Sequence, residues 1–272
     1  YRVLKHLGSG ATGGVYLVED RLQGGAPVAL KQLGVGTHPA FRAGFAREFA
    51  VLSSLALPGV ARVFDLGLGA IEAGEAPRPY FTRSYVEGVP LDQHLSDATT
   101  SSLVARLVDV IGVVDQLHRR GVVHADIKPA NIIIDPAGCS HLIDFGLAGQ
   151  AGAHETMAGS GTPGFMAPEL FSGVRPDQRA DVYALGATVW MLVTGWVPYE
   201  QQGETALSEK LSGRLPEIPE GLGAERRGLL ECALLALAPE ASERLPAAGE
   251  FAARLERVLR APGERTTFAP GP

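Results

Sequence analysis

The sequence predicts an α+β chain of two unequal lobes, a small β-rich lobe with one helix and a larger, mainly helical lobe. Three observations predict it. Up to about residue 86, short apolar or alternating runs are separated by glycine-rich turns, as in strands. One stretch there, residues 41–55, instead has a helical period. After Gly88 the longer apolar runs recur at helical spacing, so the change of character at 84–88 marks a short hinge.

The elements follow in order. Strands are expected at 1–7, 15–19 and 27–33. In the helix 41–55, Phe41, Phe45, Leu52 and Leu55 fall within an arc of roughly 80° at about 100° per residue. Strands return at 61–68 and 80–86, with a Gly/Ala/Pro-rich loop at 69–79 between them. In the second lobe, residues 99–102 offer polar caps for a helix over 99–119, and Leu103, Leu107, Val110, Val114 and Leu117 share one face. Short strands at 132–135 and 141–143 flank a turn at 136–138. Helices fit 179–194, 205–212, 224–237 and 247–259. The expected domain is 1–260, divided as 1–83, a hinge at 84–88, and 89–260, followed by a Pro/Gly-rich linker or tail at 261–272.

Composition narrows the function. The 272 residues are 46% hydrophobic, enough for a sizeable core. A formal net charge of -6 argues against nucleic acid as main partner, because that needs clustered cations. The run 182–199 approaches membrane-spanning length without a charge. Its glycines, threonines and closing proline fit a helix buried on all sides, so no membrane span is expected. Cys139 and Cys232 lie far apart and form no CxxC, which suits two reduced thiols in a cytoplasmic protein. The seven histidines show no pair at zinc-ligand spacing. The chain opens on Tyr1 without a signal-like segment, and it is expected to be part of a longer multidomain protein.

Several residues can do chemistry. Gly8, Gly10 and Gly13 form GxGxxG before Val15, and Lys31 follows in VALK on a strand. Glycines admit backbone N–H groups close to a phosphate, and a lysine supplies a compact charge. Dinucleotide folds place a helix after such glycines, whereas here a strand follows, which favours a loop folding over a nucleotide. Glu48 falls inside the apolar arc of its helix, where a carboxylate needs a cation, and Lys31 is the candidate.

In VVHADIKPANIII, residues 122–134, Asp126 can accept a hydroxyl proton or orient the hydroxyl. Lys128 can neutralise a moving phosphoryl group. Asn131 and Asp144 of the DFG at 144–146 supply oxygen ligands suited to Mg²⁺. Lysine is the minority cation, four against 20 arginines. Two of those four, Lys31 and Lys128, stand where a point charge is wanted and arginine's planar fork would not substitute cleanly.

Over residues 1–260 the chain resembles the eukaryotic-type protein kinases, in GSGATGGV, VALK, HADIKPAN, DFG and MAPE. The phrasing is most similar to the Ser/Thr branch and its bacterial members. The resemblance implies the bilobal protein kinase fold and an ATP-dependent serine/threonine kinase acting on protein substrates. Lys31 would meet the α/β-phosphates, oriented by Glu48. Asn131 and Asp144 would hold Mg²⁺, with Mn²⁺ as the alternative ion, and Asp126 would orient the acceptor hydroxyl. Leu7, Val15, Ala29 and Ile133 would enclose the adenine, with hinge backbone at Ser84 and Val86 at its edge. Glu169 would pair with Arg244, Asp181 in ADVYALG is a further landmark, and Thr162 would help shape the peptide site.

Three positions depart from the family. Thr12 stands at the glycine-loop tip, where a bulky apolar residue is common. Arg83 falls at the back of the adenine pocket, usually apolar, where it either pairs with Glu48 or Asp144, competing with Lys31 or the metal, or reaches solvent or another carboxylate. This restricted pocket is what favours the alternative of a pseudokinase-like nucleotide-binding module. Ala125 replaces the arginine that commonly reads an activation-loop phosphate, so Thr156, Ser160 and Thr162 lack their usual reader. A small-molecule kinase is a third reading, disfavoured by GTPGFMAPE and the helices after it.

Overall fold

The computed structural model describes residues 1–10, 13–37, 39–72, 74–95, 99–145, 163–200 and 205–260. Thr12, Gly146, Thr156, Ser160, Thr162, the side chain of Phe41 and the expected 261–272 tail lie outside these residues. The first lobe is an antiparallel sheet of β1 (Arg2–Gly10), β2 (Gly13–Asp20), β3 (Ala26–Leu33), β4 (Val63–Gly69) and β5 (Arg78–Ser84), in the order β1-β2-β3-β5-β4. Strand β3 is central, and every residue from Val28 to Leu33 is buried. The single helix, α1 (Pro39–Ser53), lays Phe45 and Phe49 against Phe81 of β5, with ring centroids 4.8 and 6.0 Å apart. That is the face its sequence period marks.

The second lobe is built on α3 (Thr100–His118) and α5 (Gln178–Thr194). Thr99 caps α3 by accepting from the Ser102 N–H at 3.2 Å, and the predicted stripe Leu103, Leu107, Val110, Val114 and Leu117 is buried. Helix α5 is buried continuously from Ala180 to Trp190, as an apolar run without a polar face should be. Gly186 allows α7 (Ala224–Ala236) to cross closely, since a Cβ there would stand 2.8 Å from the Ala236 Cβ. Helix α8 (Ala248–Arg260) covers α3 and α7, burying Phe251 and Leu255. Two shorter helices, α4 (Pro168–Phe171) and α6 (Ala206–Leu211), lie on either side of α5 in the chain.

Sequence reading placed the strands β7 (Ile132–Ile134) and β8 (Ser140–Leu142) but not their neighbours, β6 (Val89–Pro90) and α2 (Leu91–His94). These are too short to show a period. β6 exists because Val89 and Pro90 pair with Ile134 and Ile133. Among the described residues no helix is long and apolar enough to cross a membrane. Cys139 is exposed, Cys232 is half-buried, and both are free thiols.

Candidate active site

A cavity of about 530 Å³ opens between the five-stranded sheet and the β6-β7-β8 sheet. Leu7, Val15, Ala29, Val86 and Ile133 give it apolar walls, and Lys31, Asp126, Lys128, Asn131 and Asp144 converge on it. An apolar cleft with a few convergent polar groups is the usual form of a small-molecule site. Two expected residues stand outside its lining. Ser84 is tied to the strand beside it, its N–H donating to Arg62 O at 2.8 Å and its hydroxyl accepting from the Arg62 N–H at 3.0 Å. Glu48 stands behind Lys31.

The glycines at the cavity rim are not equivalent. A Cβ at Gly8 or Gly10 would meet nothing within 4 Å, so their backbone is open to a ligand. Gly13, at φ 144°, is required by the sheet itself, because a Cβ there would stand 1.9 Å from Gln32 O on β3. Its glycine is therefore accounted for before any phosphate is considered.

Lys31 and Glu48 are both buried, and the Lys31 Nζ donates to both carboxylate oxygens at 2.8 and 2.9 Å. The carboxylate inside the apolar arc of α1 thus has the cation its position demanded. Burial works against the ammonium charge. Glu48 and then Asp144, whose Oδ1 lies 3.5 Å from Nζ, overcome it and raise the Lys31 pKa. Arg83 reaches the same oxygen of Asp144, with its Nη2 at 3.3 Å. Burial opposes charge on Asp144 too. Arg83 and then Lys31 outweigh it and hold the carboxyl at about 2, so Asp144 is ionised at any ordinary pH.

The loop of residues 124–131 is held from three sides. Lys128 Nζ donates to Asp126 Oδ1 and Oδ2 at 3.1 and 3.0 Å. Asn131 Nδ2 donates at 2.8 Å to both the Asp126 carbonyl and its Oδ2. From below, Asp181 in the first turn of α5 accepts from the backbone N–H groups of His124 and Ala125, each at 2.8 Å. His118 Nε2 also donates to Asp181, at 2.8 Å. Ala125 stands at φ 61°, a left-handed conformation that residues with a Cβ avoid, and these bonds to its own and the preceding N–H hold it there. Burial keeps the His124 pKa below the ordinary histidine value. Its Nδ1 accepts from the Asp126 N–H at 3.2 Å, and its ring meets Phe145 at 4.4 Å. Ile143 N–H donates to Asn131 O at 2.9 Å, which joins the Asp126 loop to the strand leading into Asp144.

Beyond the cavity, the Arg244 guanidinium grips Glu169 through two parallel bonds of 2.7 Å. It also donates to the carbonyls of Ala238, Arg179 and Pro239. The sequence missed Lys210 on α6. It is buried, donates to Pro163 O at 2.6 Å, and lies 4.9 Å from the Tyr183 ring centroid. The signal was present, because lysine is scarce in this chain and Lys210 lies outside the motifs.

A small antiparallel sheet over a helical lobe, with two lysines, an asparagine and two aspartates converging on the cleft between, defines a bilobal α+β fold with a charged interlobe cleft. The chain belongs to the protein kinase domain family, which it matches over residues 1–227. It is 32% identical over 271 residues to the DNA damage-responsive serine/threonine-protein kinase RqkA of Deinococcus radiodurans, covering 96% of this chain and 39% of that one. It is 30% identical over 271 residues to serine/threonine-protein kinase PknB of Mycobacterium tuberculosis, covering 95% of this chain and 42% of the relative. The chain thus spans about two fifths of the length of these relatives.

Proposed function

We propose that this domain transfers the γ-phosphoryl group of ATP to Ser/Thr hydroxyls of protein substrates. One observation carries the reading. The buried Lys31–Glu48 pair reaches Asp144 at 3.5 Å, while Asp126 is held by Lys128 and Asn131, so the charges that phosphoryl transfer needs are assembled around one cavity. That assembly, with no mechanistic position lost, supports an enzyme over a nucleotide-binding module without catalysis.

In this mechanism Leu7, Val15, Ala29 and Ile133 bury the adenine, and the Val86 backbone, which lines the cavity, meets its edge. Gly8 and Gly10 leave the β1 backbone open to the phosphates, and Gly13 keeps β2 close against β3 beside them. Lys31, fixed by Glu48, neutralises the α/β-phosphates. Asp126 orients the acceptor hydroxyl and takes its proton, and Lys128 accompanies the transferring group. Asn131 and Asp144 fit a hard divalent ion, Mg²⁺ or Mn²⁺. Asn131 spends its amide nitrogen on Asp126, leaving the carbonyl oxygen as an acceptor, and Asp144 is an ionised carboxylate. When bound, such an ion offsets the phosphate charge.

Incubation with labelled ATP, Mg²⁺ and a generic protein substrate tests the reading beside an Asp126→Asn control. Phosphoserine and phosphothreonine should form, and the control should lose roughly 10²–10⁴ in turnover, the usual worth of a placed acid–base group. Equal rates in parent and control would remove Asp126 from its assigned role.

A further inference from the structure

Among the described residues of the cavity wall, Arg83 is the one charged group that this mechanism does not use. It lies on β5, registered opposite Ala29 of β3 and Val63 of β4, and is only 5% exposed. Two facts define its situation. Its Nη2 shares Asp144 Oδ1 with Lys31, at 3.3 against 3.5 Å, so one carboxylate oxygen already faces two cations. Its Nε is buried with no hydrogen-bond partner, so the guanidinium is not fully satisfied where it rests.

We propose that Arg83 is an internal counter-cation for Asp144. It positions that carboxylate in the metal-free domain and must yield the oxygen before a divalent ion is held there, so it sets the metal concentration at which nucleotide binds tightly. This rests on the reading of Asp144 as a metal ligand. The physical grounds are local. A divalent ion at Asp144 would come close to a fixed positive charge in a partly desolvated site, where repulsion is screened less than in water. Lys31 does not raise the same obstacle, because Glu48 engages its ammonium on both oxygens. Arg83 has no second carboxylate among the ion pairs of the described residues, so Asp144 is its counterion.

The test measures nucleotide binding rather than turnover. A fluorescent ATP analogue is titrated against the parent domain, Arg83→Met and Arg83→Lys at a series of Mg²⁺ concentrations and in EDTA, with Asp144→Asn added to parent and Arg83→Met. Thermal unfolding confirms that each variant is folded. Arg83→Met should reach half-maximal affinity at roughly a tenth of the parent's Mg²⁺ concentration or less, since a divalent ion repels a unit charge twice as strongly as the unit-charge pair that gives about fivefold at 4 Å in water. Arg83→Lys should shift less, and all Arg83 variants should bind equally in EDTA. Asp144→Asn should erase the difference between the parent and Arg83→Met backgrounds.

An unchanged Mg²⁺ midpoint in Arg83→Met would overturn the proposal. So would a loss of affinity in EDTA, because Arg83 would then be a direct nucleotide ligand. A midpoint shift that survives Asp144→Asn would also overturn it. Absence of nucleotide binding by the folded parent at any Mg²⁺ concentration would sink the kinase reading beneath it, and the two failures are thereby distinguishable.

Discussion

Asp181→Asn tests whether one carboxylate holds the catalytic loop in a conformation its sequence does not favour. Asp181 is fully buried and takes three hydrogen bonds of 2.8 Å, Oδ2 from the His124 N–H and His118, Oδ1 from the Ala125 N–H. Asparagine keeps one acceptor oxygen and turns an NH₂ toward the rest. If nitrogen replaces Oδ1, the Ala125 N–H is orphaned; if it replaces Oδ2, His124 and His118 are. Each unmet buried donor costs about 1–3 kcal/mol. The left-handed Ala125 meanwhile stores roughly 1–2 kcal/mol that its N–H bond offsets. We expect a loss of about 2–4 kcal/mol in urea denaturation. Because Asp126 follows Ala125 directly, turnover per folded molecule should fall as well. Asp177→Ala is the control. Asp177 caps the same helix by accepting from the Arg179 N–H at 2.8 Å, and its loss should cost about 1 kcal/mol without altering turnover. An Asp181→Asn stability within about 0.5 kcal/mol of the parent, the range of ordinary surface changes, would refute the reasoning.

Lys210→Met should change how stability depends on pH. Burial first, and then Arg244, pull the Lys210 pKa from 10.5 to about 7, so between those values folding releases its proton. The unfolded chain binds more protons in that window, and stability rises with pH across it. The variant should therefore gain most over the parent near pH 6, by up to a few kcal/mol, with the gain closing toward pH 10. Parallel pH–stability curves for parent and variant would reject this. Arg244→Lys keeps a charge opposite Glu169 but cannot reproduce the two parallel bonds together with those to the carbonyls, and should destabilise by about 1–3 kcal/mol in denaturant titrations. Replacing Thr156, Ser160 and Thr162 singly by Ala should reveal no phosphate required through residue 125, read as turnover of each variant with and without prior phosphatase treatment.

The legible parts of the sequence were those where identity and spacing already imply geometry. The apolar arc of 41–55 located the face of α1, and Glu48 inside that arc announced a partner that Lys31 supplies at 2.8 Å. Asn131 five residues after Asp126 is near enough for the chain itself to set their contact. Contacts made across the fold were not legible. Asp181 is 57 residues from His124 and 63 from His118, and nothing in ADVYALG says whose N–H groups it accepts. Gly13 sits in the same motif as Gly8 and Gly10, yet only the register of β2 against β3 shows that the sheet already requires it.

The two departures at Ala125 and Arg83 were visible because they break a pattern, but their meaning depends on partners. At 125 the sequence reported a missing cation. The fold adds a strained φ of 61° stabilised by Asp181, so a carboxylate of α5 holds the loop at this position. At 83 the sequence left Glu48, Asp144, another carboxylate and solvent as alternatives. Glu48 is saturated by Lys31 through both oxygens, so the second buried cation is left with Asp144. The chain thus lacks a positive charge where a phosphate would be read and has one against a proposed metal carboxylate. The charge balance at Asp144 is the step at which we propose nucleotide and metal govern the domain, and the Mg²⁺ titration of Arg83→Met measures that balance directly.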